Sequence, residues 1–418
     1  MTAISQPANT SKPPHPFVFM FLFIPFGATT GYVTVTLAFL FAHAGISIEK
    51  IAGFAAIQLV PQAFKFLWAP LVDVTLTVKQ WHIISTALCG LSILALSIIP
   101  IKTANLPLFI IVIILSSLAA SFVGMAGNSL SAYNTPGDLK GQVSGWIQAG
   151  NVGGSAVGGG AGLWLSENMP HTWMAGAILA IAFVLCSIFL VFVHEPDSHI
   201  KATSAFKTIK NVVMDVWTNI KARMGLIALI LCLMPIGTGA AYNLFSPIAK
   251  DWKASAGEVE AIVGIIGGLV TVVGCLLGGW LCDRMNRKTA YVVVGMIQAA
   301  ADVGMAFCPH TALMYGIWGL IYSFSVGLTY AAFNAFVLEV IGTGAAATKF
   351  EVYASISNLP IILMSAVAGI AYTKWGANGM LNTDALCAIA AIIVFMLIWS
   401  ALKKVKALPA TAEFVPEH

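Results

Sequence analysis

Long apolar runs recur along the whole chain, and short polar segments separate them. Each run is close to the roughly 20 apolar residues that a helix needs to cross a bilayer. This pattern predicts membrane-spanning helices, which we number in chain order as spans. The twelve predicted spans lie approximately at 17–43, 50–72, 82–101, 105–131, 141–166, 172–193, 225–249, 259–281, 289–308, 311–338, 351–373 and 382–402.

Composition supports a membrane protein. The 418 residues are 59% hydrophobic and 9% charged, whereas soluble domains carry about a quarter charged residues. All seven cysteines lie in or at the ends of predicted spans without CxxC spacing, which indicates packing residues rather than disulfides or metal ligands. The predicted class is an all-α polytopic membrane protein.

The basic residues indicate the orientation of the spans. With both termini on one side, fifteen Lys and Arg residues fall on that side and five on the other, and Lys65 lies within a span. The positive-inside rule makes the basic side, with both termini, cytoplasmic. The net charge of +4 is therefore a topology signal, and we expect no nucleic-acid partner.

The chain contains an internal duplication with a fixed offset of 210 residues. The related pairs are Pro25–Tyr32 with Pro235–Tyr242, Asp73 with Asp283, and Ser155–Ala161 with Ser365–Ala371. One offset shared by three segments predicts two six-span halves of parallel topology, the arrangement in which transporters place a site between repeats.

The duplication sets the predicted domain boundaries. The halves cover 17–193 and 225–402, with tails at 1–16 and 403–418 and a linker at 194–224. Helical spacing of apolar residues in the linker predicts an amphipathic helix on the cytoplasmic surface, and a solvated basic linker is the alternative. The apolar positions are Phe206, Ile209, Val213, Val216, Trp217 and Ile220.

A charged loop follows the eighth span. It reads GGWLCDRMNRK and fits the pattern G-x-x-x-D-R-x-x-R-K through Gly279, Asp283, Arg284, Arg287 and Lys288. This loop resembles the cytoplasmic motif of the major facilitator superfamily, which implies a gating role for these residues. The first-half copy, APLVDVTLTVK, keeps Asp73 but lacks the glycine and the clustered arginines.

Three further runs resemble the AmpG-like permeases, a group that also contains acetyl-coenzyme A transporters. They are FKFLWAPLVD at Phe64–Asp73, AATKFEVYASISNLP at Ala346–Pro360 and, more loosely, SAYNTPGDLKGQVSG at Ser131–Gly145. The resemblance implies a bacterial inner-membrane importer working as a monomer. Members carry acidic residues in the fourth span near Gly127 and Ser131, which this chain lacks, and siderophore permeases share the general pattern.

Lys65 is a costly residue within the second span. Such a lysine costs roughly 2.5–3.5 kcal/mol on insertion scales and usually faces a cavity or a partner. Gln58 and Gln62 are predicted to share its helix face. Lys65 is expected to attract an anionic group of the substrate or a coupling carboxylate, and the alternative is a structural lysine paired with carbonyls or with Asp73.

The other candidate binding residues are polar positions on spans that line the cavity in this superfamily. The predicted substrate-binding set is Lys65, Gln58, Gln62, Tyr32, Asn128, Gln148, Asn151, Tyr242, Asn334 and Asn358. Any single one of them could instead bond a neighbouring helix.

Asp302 and Glu339 are the two candidates for proton coupling. Asp302 lies deep in the ninth span, where a structural role or a place near the outer mouth is the alternative. Glu339 and Glu351 lie near cytoplasmic span ends, where gating pairs with Lys349 or Arg284 are as plausible as proton transfer.

The sequence predicts a proton-coupled secondary transporter that imports a small organic, anionic solute (muropeptide-, coenzyme A- or siderophore-like) by alternating access. The proton gradient is the expected energy source, with no cofactor. An alternative is a proton antiporter that exports a drug or metabolite, which a glycine pattern in the fifth span nearly fits. Another is a membrane sensor. An enzyme or ATP-driven pump is not expected, because HExxH, GxSxG and GxxxxGK[ST] are absent from the sequence.

Overall fold

The structure is a computed structural model that describes residues 13–195, 205–259, 262, 266–342 and 344–404. These residues form helices joined by short turns, with no strand among them. The remaining parts of the predicted tails and linker lie outside the described residues.

The first half contains six spans, one of which is interrupted. The unbroken spans one, three, four and six are Phe17–His43, Val78–Ile98, Leu106–Asn134 and Thr172–Phe192. The second span is Ile48–Ala63 followed by Ala69–Val74, and the fifth is Lys140–Ala156 and Gly162–Asn168 joined by the π-helical stretch Val157–Ala161.

The second half repeats this arrangement after a short surface helix. Its spans eight, nine and ten are Ile266–Arg284, Arg287–Phe307 and Ala312–Ile341. Spans eleven and twelve follow each other directly within Ala346–Lys404. The helical geometry is broken between them at Gly376, whose φ is +68°. The seventh span begins as Arg223–Leu233 and continues in short helical pieces to Trp252.

Eight helices in the described residues are long and apolar enough to cross a membrane, and one of them, Ala346–Ser400, holds two predicted spans. The predicted spans that miss this standard are the interrupted second and seventh and the glycine-rich fifth. Together these account for the twelve predicted spans, and the all-α polytopic class is confirmed.

The seventh span differs most from its repeat partner. Pro25–Tyr32 lies in the first span, which stays helical, whereas the equivalent segment unwinds between Met234 and Gly239. Gly237 and Gly239 have φ of +61° and +67°, a conformation that L side chains rarely adopt. The duplicated sequence therefore predicts a span at both positions, but the two segments differ in conformation.

The predicted amphipathic helix of the linker is present as Ala205–Lys221. Val212 is buried against the protein, while Val213, Met214 and Trp217 are exposed. Phe206 and Ile209 have side chains outside the described set. We call the face of the molecule that carries this linker helix the linker side; it is the face predicted to be cytoplasmic.

The two halves meet on the linker side and separate toward the opposite side. Added Cβ atoms on Gly141 and Gly145 of the fifth span would overlap Gly279 or Cys275 of the eighth. Further along, a Cβ on Gly153 would lie 3.8 Å from Val272, and one on Gly160 would meet nothing within 4 Å. The fifth and eighth spans therefore diverge, which leaves the space between the halves wider away from the linker side.

The other fifth-span glycines pack within the first half. Added Cβ atoms on Gly154 and Gly158 would overlap backbone atoms of Ile24 and Ala28 in the first span. This packing gives the glycine run a structural role. The linker-side glycines of the same span, Gly141 and Gly145, contact the eighth span of the other half instead.

We expect Gly158→Val to destabilise the protein, since the added side chain has no room beside Ala28. Overpacking of this kind costs about 1–3 kcal/mol, which should lower the melting temperature of the purified protein in detergent. Gly160→Val is the matched control, because it lies in the same helical turn with open space around it. Equal melting temperatures for the two variants would contradict this packing.

Candidate functional site

A cavity of about 510 Å³ lies between the two halves. Its volume is within the range of ligand pockets for small molecules. Apolar walls come from aromatic residues such as Phe23, Phe26 and Phe333, and polar atoms come chiefly from side-chain amides. The amide-bearing residues on its wall are Gln62, Asn128, Gln148, Asn151, Asn334 and Asn358.

Lys65 lies on the cavity wall and forms an ion pair across the two halves. Its Nζ is 2.6 Å from Glu351 Oε2 in the eleventh span, and the side chains are 15% and 1% exposed. Asn128 of the fourth span donates to the other carboxylate oxygen, Oε1, at 3.3 Å. The pair places one positive and one negative charge on the part of the wall nearest the linker side.

An interruption in the second span positions Lys65. The helix ends at Ala63, and Phe64 leaves helical geometry with φ −106° and ψ +12°. Lys65–Leu67 then forms a single 3-10 turn before the helix resumes at Ala69. The prediction of one helix face for Gln58, Gln62 and Lys65 is therefore wrong, since the helix does not continue through Lys65.

Seven of the ten predicted binding residues line the cavity, and three lie elsewhere. The three are Tyr32, Gln58 and Tyr242. Tyr32 is buried and its hydroxyl is 2.8 Å from Ser97 Oγ, while the backbone carbonyl of Gln58 accepts from Ser117 of the fourth span. Tyr242 stacks parallel to Tyr322 with ring centroids 6.1 Å apart. Tyr32 and Tyr242 thus contact neighbouring helices through their side chains, and Gln58 does so through its backbone carbonyl.

Asp73 holds the second span to the start of the eleventh. Its carboxylate accepts from the backbone N–H groups of Ala347 and Thr348 at 3.4 and 2.9 Å, and from the Thr348 hydroxyl at 2.6 Å. A helix N-terminus carries unpaired N–H groups and partial positive charge, both of which favour a carboxylate. Lys65 therefore pairs with Glu351 and not with Asp73.

Asp283 makes the equivalent contact in the other direction. Its two oxygens accept from the backbone N–H groups of Gly141 and Gln142, at 2.6 and 2.7 Å, at the start of the fifth span. Arg287 supports this contact by bonding Asp283 at 3.1 Å and the carbonyl of Gly137. The two halves approach closely at Gly279, because an added Cβ would overlap the carbonyl of Gly141.

The other two basic residues of the motif lie outside these contacts. Arg284 stacks on Trp280 with its Cζ 4.0 Å from the ring centre, and Lys288 lies near Trp399 and Met224. Neither bonds Asp283 in the described residues. Their placement separates Arg284 and Lys288 from the aspartate contacts that join the halves.

The two predicted coupling acids lie in different settings. Glu339 is on the linker side, 37% exposed, and pairs with Arg287 at 3.2 Å rather than with Lys349 or Arg284. Asp302 is buried in the ninth span, away from the cavity wall, in a narrow crevice that it shares with Asp384. The exposed ion pair of Glu339 identifies it as part of the linker-side contacts.

Sequence reasoning missed two residues of this arrangement. Glu351 was weighed only for gating or proton transfer, not as the partner of Lys65, and Asp384 was not considered. The sequence does mark both residues as candidates, because each is an acidic residue in an apolar stretch, where acidic residues are rare and functional. Pairing them with Lys65 and Asp302 needs the helix arrangement, because the partners are far apart in sequence.

These features define a polytopic membrane transporter, with a cavity between two helical halves that are joined on the linker side. The chain belongs to the Major Facilitator Superfamily, whose family model matches residues 17–365.

Similar proteins come from bacteria and share most of the chain. A protein of Rickettsia conorii named putative transporter AmpG 4 is 23% identical over 381 residues, covering 86% of this chain and 91% of its own. The anhydromuropeptide permease of Escherichia coli K12 is 24% identical over 335 residues, covering 77% of this chain and 67% of its own. The predicted AmpG-like branch is thus confirmed.

Solved structures share the fold at low sequence identity. The Escherichia coli fucose:proton symporter FucP superposes with a TM-score of 0.69 at 14% identity, covering 92% of this chain and 98% of that one. The human organic anion transporter MFSD10 gives 0.67 at 15% identity, covering 91% and 98%. These structures show the fold; the family model and the bacterial relatives make the chain a transporter rather than an enzyme.

We expect Asp73→Ala and Asp283→Ala to loosen the linker-side contact between the halves. Hydrogen bonds to a charged group contribute about 1.5–3 kcal/mol, so each loss should raise the open population about tenfold or more. The measurement is labelling of Gln148→Cys, a cavity position, by a membrane-impermeant thiol reagent applied from the linker side. The seven native cysteines are replaced in this background.

The matched control is Asp138→Ala, an exposed residue in the turn before the fifth span. It should leave the labelling rate unchanged. If Asp73→Ala and Asp283→Ala label no faster than the control, the two aspartates do not hold the halves together.

Proposed function

We propose that this transporter imports a small anionic solute together with protons, by alternating access around the central cavity. The observation that carries the proposal is the ion pair between Lys65 and Glu351 on the cavity wall. We place the protein in a bacterial inner membrane with both termini cytoplasmic, working as a monomer. The proton gradient supplies the energy.

The chemistry of the wall supports a polar solute with amide or hydroxyl groups. Side-chain amides both donate and accept hydrogen bonds, and aromatic faces cover apolar parts of a ligand. Asn334 Nδ2 is buried at the cavity with no hydrogen-bond partner among the described residues, which leaves a donor for a ligand. A buried donor without a partner costs about 1–3 kcal/mol, so binding a solute acceptor would recover that cost.

The ion pair supports an anion and a proton as joint ligands. While Glu351 is ionised it neutralises Lys65, and the wall carries no net charge there. A proton on Glu351 would leave the charge of Lys65 unbalanced, so that it attracts a carboxylate or phosphate. Proton and anion then favour each other's binding, and this coupling is reciprocal by thermodynamic linkage.

The same pair supports the inward direction. Lys65 belongs to the first half and Glu351 to the second, so exchanging Glu351 for a solute anion removes one contact between the halves. Asp73 and Thr348 join the same two spans nearby. Loosening this region would favour opening on the linker side, which is the predicted cytoplasmic side.

Among anionic solutes we favour the muropeptide class, which combines sugar hydroxyls, amides and carboxylates. The support is the wall of side-chain amides and the similarity to an anhydromuropeptide permease. The missing acidic residues of the fourth span imply that this chain holds its substrate differently. Coenzyme A-like and siderophore-like solutes carry some of the same groups and belong in the test.

We expect Lys65→Ala to reduce uptake about tenfold or more, because the wall loses its cation. Glu351→Gln should keep uptake by exchange but lose its stimulation by a proton gradient, since an amide mimics the protonated acid. The measurement is uptake into right-side-out vesicles of a muropeptide, a coenzyme A thioester, a ferric siderophore, a dicarboxylate and a cationic dye. Each is measured with and without an inward proton gradient.

Two controls separate function from folding. The double variant Lys65→Ala/Glu351→Gln leaves no unpaired charge in the protein interior, where breaking such a pair costs about 3–5 kcal/mol. Lys102→Ala changes an exposed lysine and should transport normally. Gradient-driven exclusion of the dye would indicate an exporter, and binding without transport of any solute would indicate a sensor; either result contradicts the proposal.

A further inference from the structure

We propose that Asp302 and Asp384 form a second proton-binding site, enclosed in the second half behind the break in the seventh span. The site holds one proton shared by the two carboxyl groups. Its existence does not depend on the proposed substrate, while its contribution to coupling rests on the proposed function.

The geometry of the pair requires a proton. Asp302 in the ninth span and Asp384 in the twelfth are 1% and 5% exposed, and both side chains line one narrow crevice. Burying a single carboxylate without a partner charge is already costly and favours its neutral, protonated form. Two adjacent buried negative charges would also repel each other strongly.

The surroundings provide no other counter-charge. Gln298, a neutral amide of the ninth span, also lines the crevice. The seventh span contributes Pro235, Gly237 and Thr238, none of which titrates. In the part of the chain that the structure describes, no lysine, arginine or histidine forms an ion pair with either aspartate.

The remaining titratable side chain near the pair is Cys387, one turn beyond Asp384 on the twelfth span. A neutral thiol cannot offset an aspartate charge. One oxygen of Asp302, Oδ1, is buried and has no hydrogen-bond partner in the described part of the chain. This free acceptor gives the pair a place where a proton can arrive or leave.

Size favours a proton over a metal cation. The crevice between the aspartates and the seventh-span break has no space for a sphere the size of a water molecule. A sodium ion with its oxygen ligands would need the surrounding helices to move apart, whereas a proton needs no added volume. Two aspartates in an apolar bundle are also expensive, and asparagine would make structural hydrogen bonds without a charge.

Hydrogen bonds connect the crevice to the central cavity through Gln298, which lines the crevice with both aspartates. Gln298 Nε2 donates to the Tyr322 hydroxyl at 3.1 Å, and Gln298 Oε1 accepts from the Thr329 hydroxyl at 3.0 Å. Thr329 lies on the cavity wall. Removing the proton from the aspartates would change the charge beside Gln298 and so the order of these hydrogen bonds.

The seventh-span break separates the two sites. Gly237 and Thr238 line both the crevice and the central cavity. Because this segment lacks regular helical hydrogen bonds, its conformation depends on what lies on each of its faces. A change of charge in the aspartate pair would therefore act directly on the cavity wall.

The test is infrared spectroscopy of the purified full-length protein at neutral pH. We expect a carbonyl band of a protonated carboxyl group that is absent in both Asp302→Asn and Asp384→Asn. Asp138→Asn, an exposed aspartate, is the matched control and should keep the band. Persistence of the band in both variants would overturn the proposal.

Two further measurements keep the result decisive. Labelling the aspartates of the wild type with carbon-13 should shift the band, which tests the assignment even if a variant does not fold; an unshifted band would overturn it. Adding sodium at constant pH should leave the band unchanged. Its loss in proportion to bound sodium would make the pair a sodium site and overturn the assignment to a proton.

The role in coupling has its own readout. With a transported solute, Asp302→Asn should lower accumulation driven by a proton gradient about tenfold, while solute exchange at equal pH continues. Unchanged accumulation would show that the pair takes no part in coupling. If no solute is transported, the proposed function fails, whereas the infrared result on the aspartate pair still stands.

Discussion

A lysine in an apolar protein interior must keep a counter-charge, and the rest of this structure depends on where that counter-charge lies. Lys65 finds it in Glu351, on the opposite half of the molecule. The ion pair that neutralises Lys65 therefore also joins the two halves. Whatever competes for either charge also acts on the contact between the halves, so binding and conformation share one interaction.

The two aspartates at the ends of the second and eighth spans add a symmetric pair of contacts on the same side. Each accepts backbone N–H groups at the start of a span in the opposite half. The symmetry follows from the duplicated sequence, in which Asp73 and Asp283 are 210 residues apart. The two interruptions are not symmetric: the second span unwinds around Lys65, while the seventh unwinds at Gly237 and Gly239.

The sequence predicts the spans, the repeat, the linker helix and the aspartate motif, because hydropathy and local spacing encode them. Seven of ten binding positions also lie on the cavity wall. Tyr32, Gln58 and Tyr242 lie off the wall and contact neighbouring spans, which the spacing of polar residues along the chain does not reveal. The pairs Lys65–Glu351 and Asp302–Asp384 join distant segments, so they emerge only from the packing of the helices.

The aspartate contacts also bear on how this protein tolerates change. Asp73 and Asp283 accept chiefly from main-chain donors, which every residue except proline supplies. Substitutions at Gln142 or Ala347 thus leave the donors in place, and only the two acidic positions are chemically fixed. A latch built this way lets the partner helices diverge in sequence while its own geometry persists. This explains why a single aspartate at the end of a span, Asp73 or Asp283, is the part of the contact that can be recognised in the sequence.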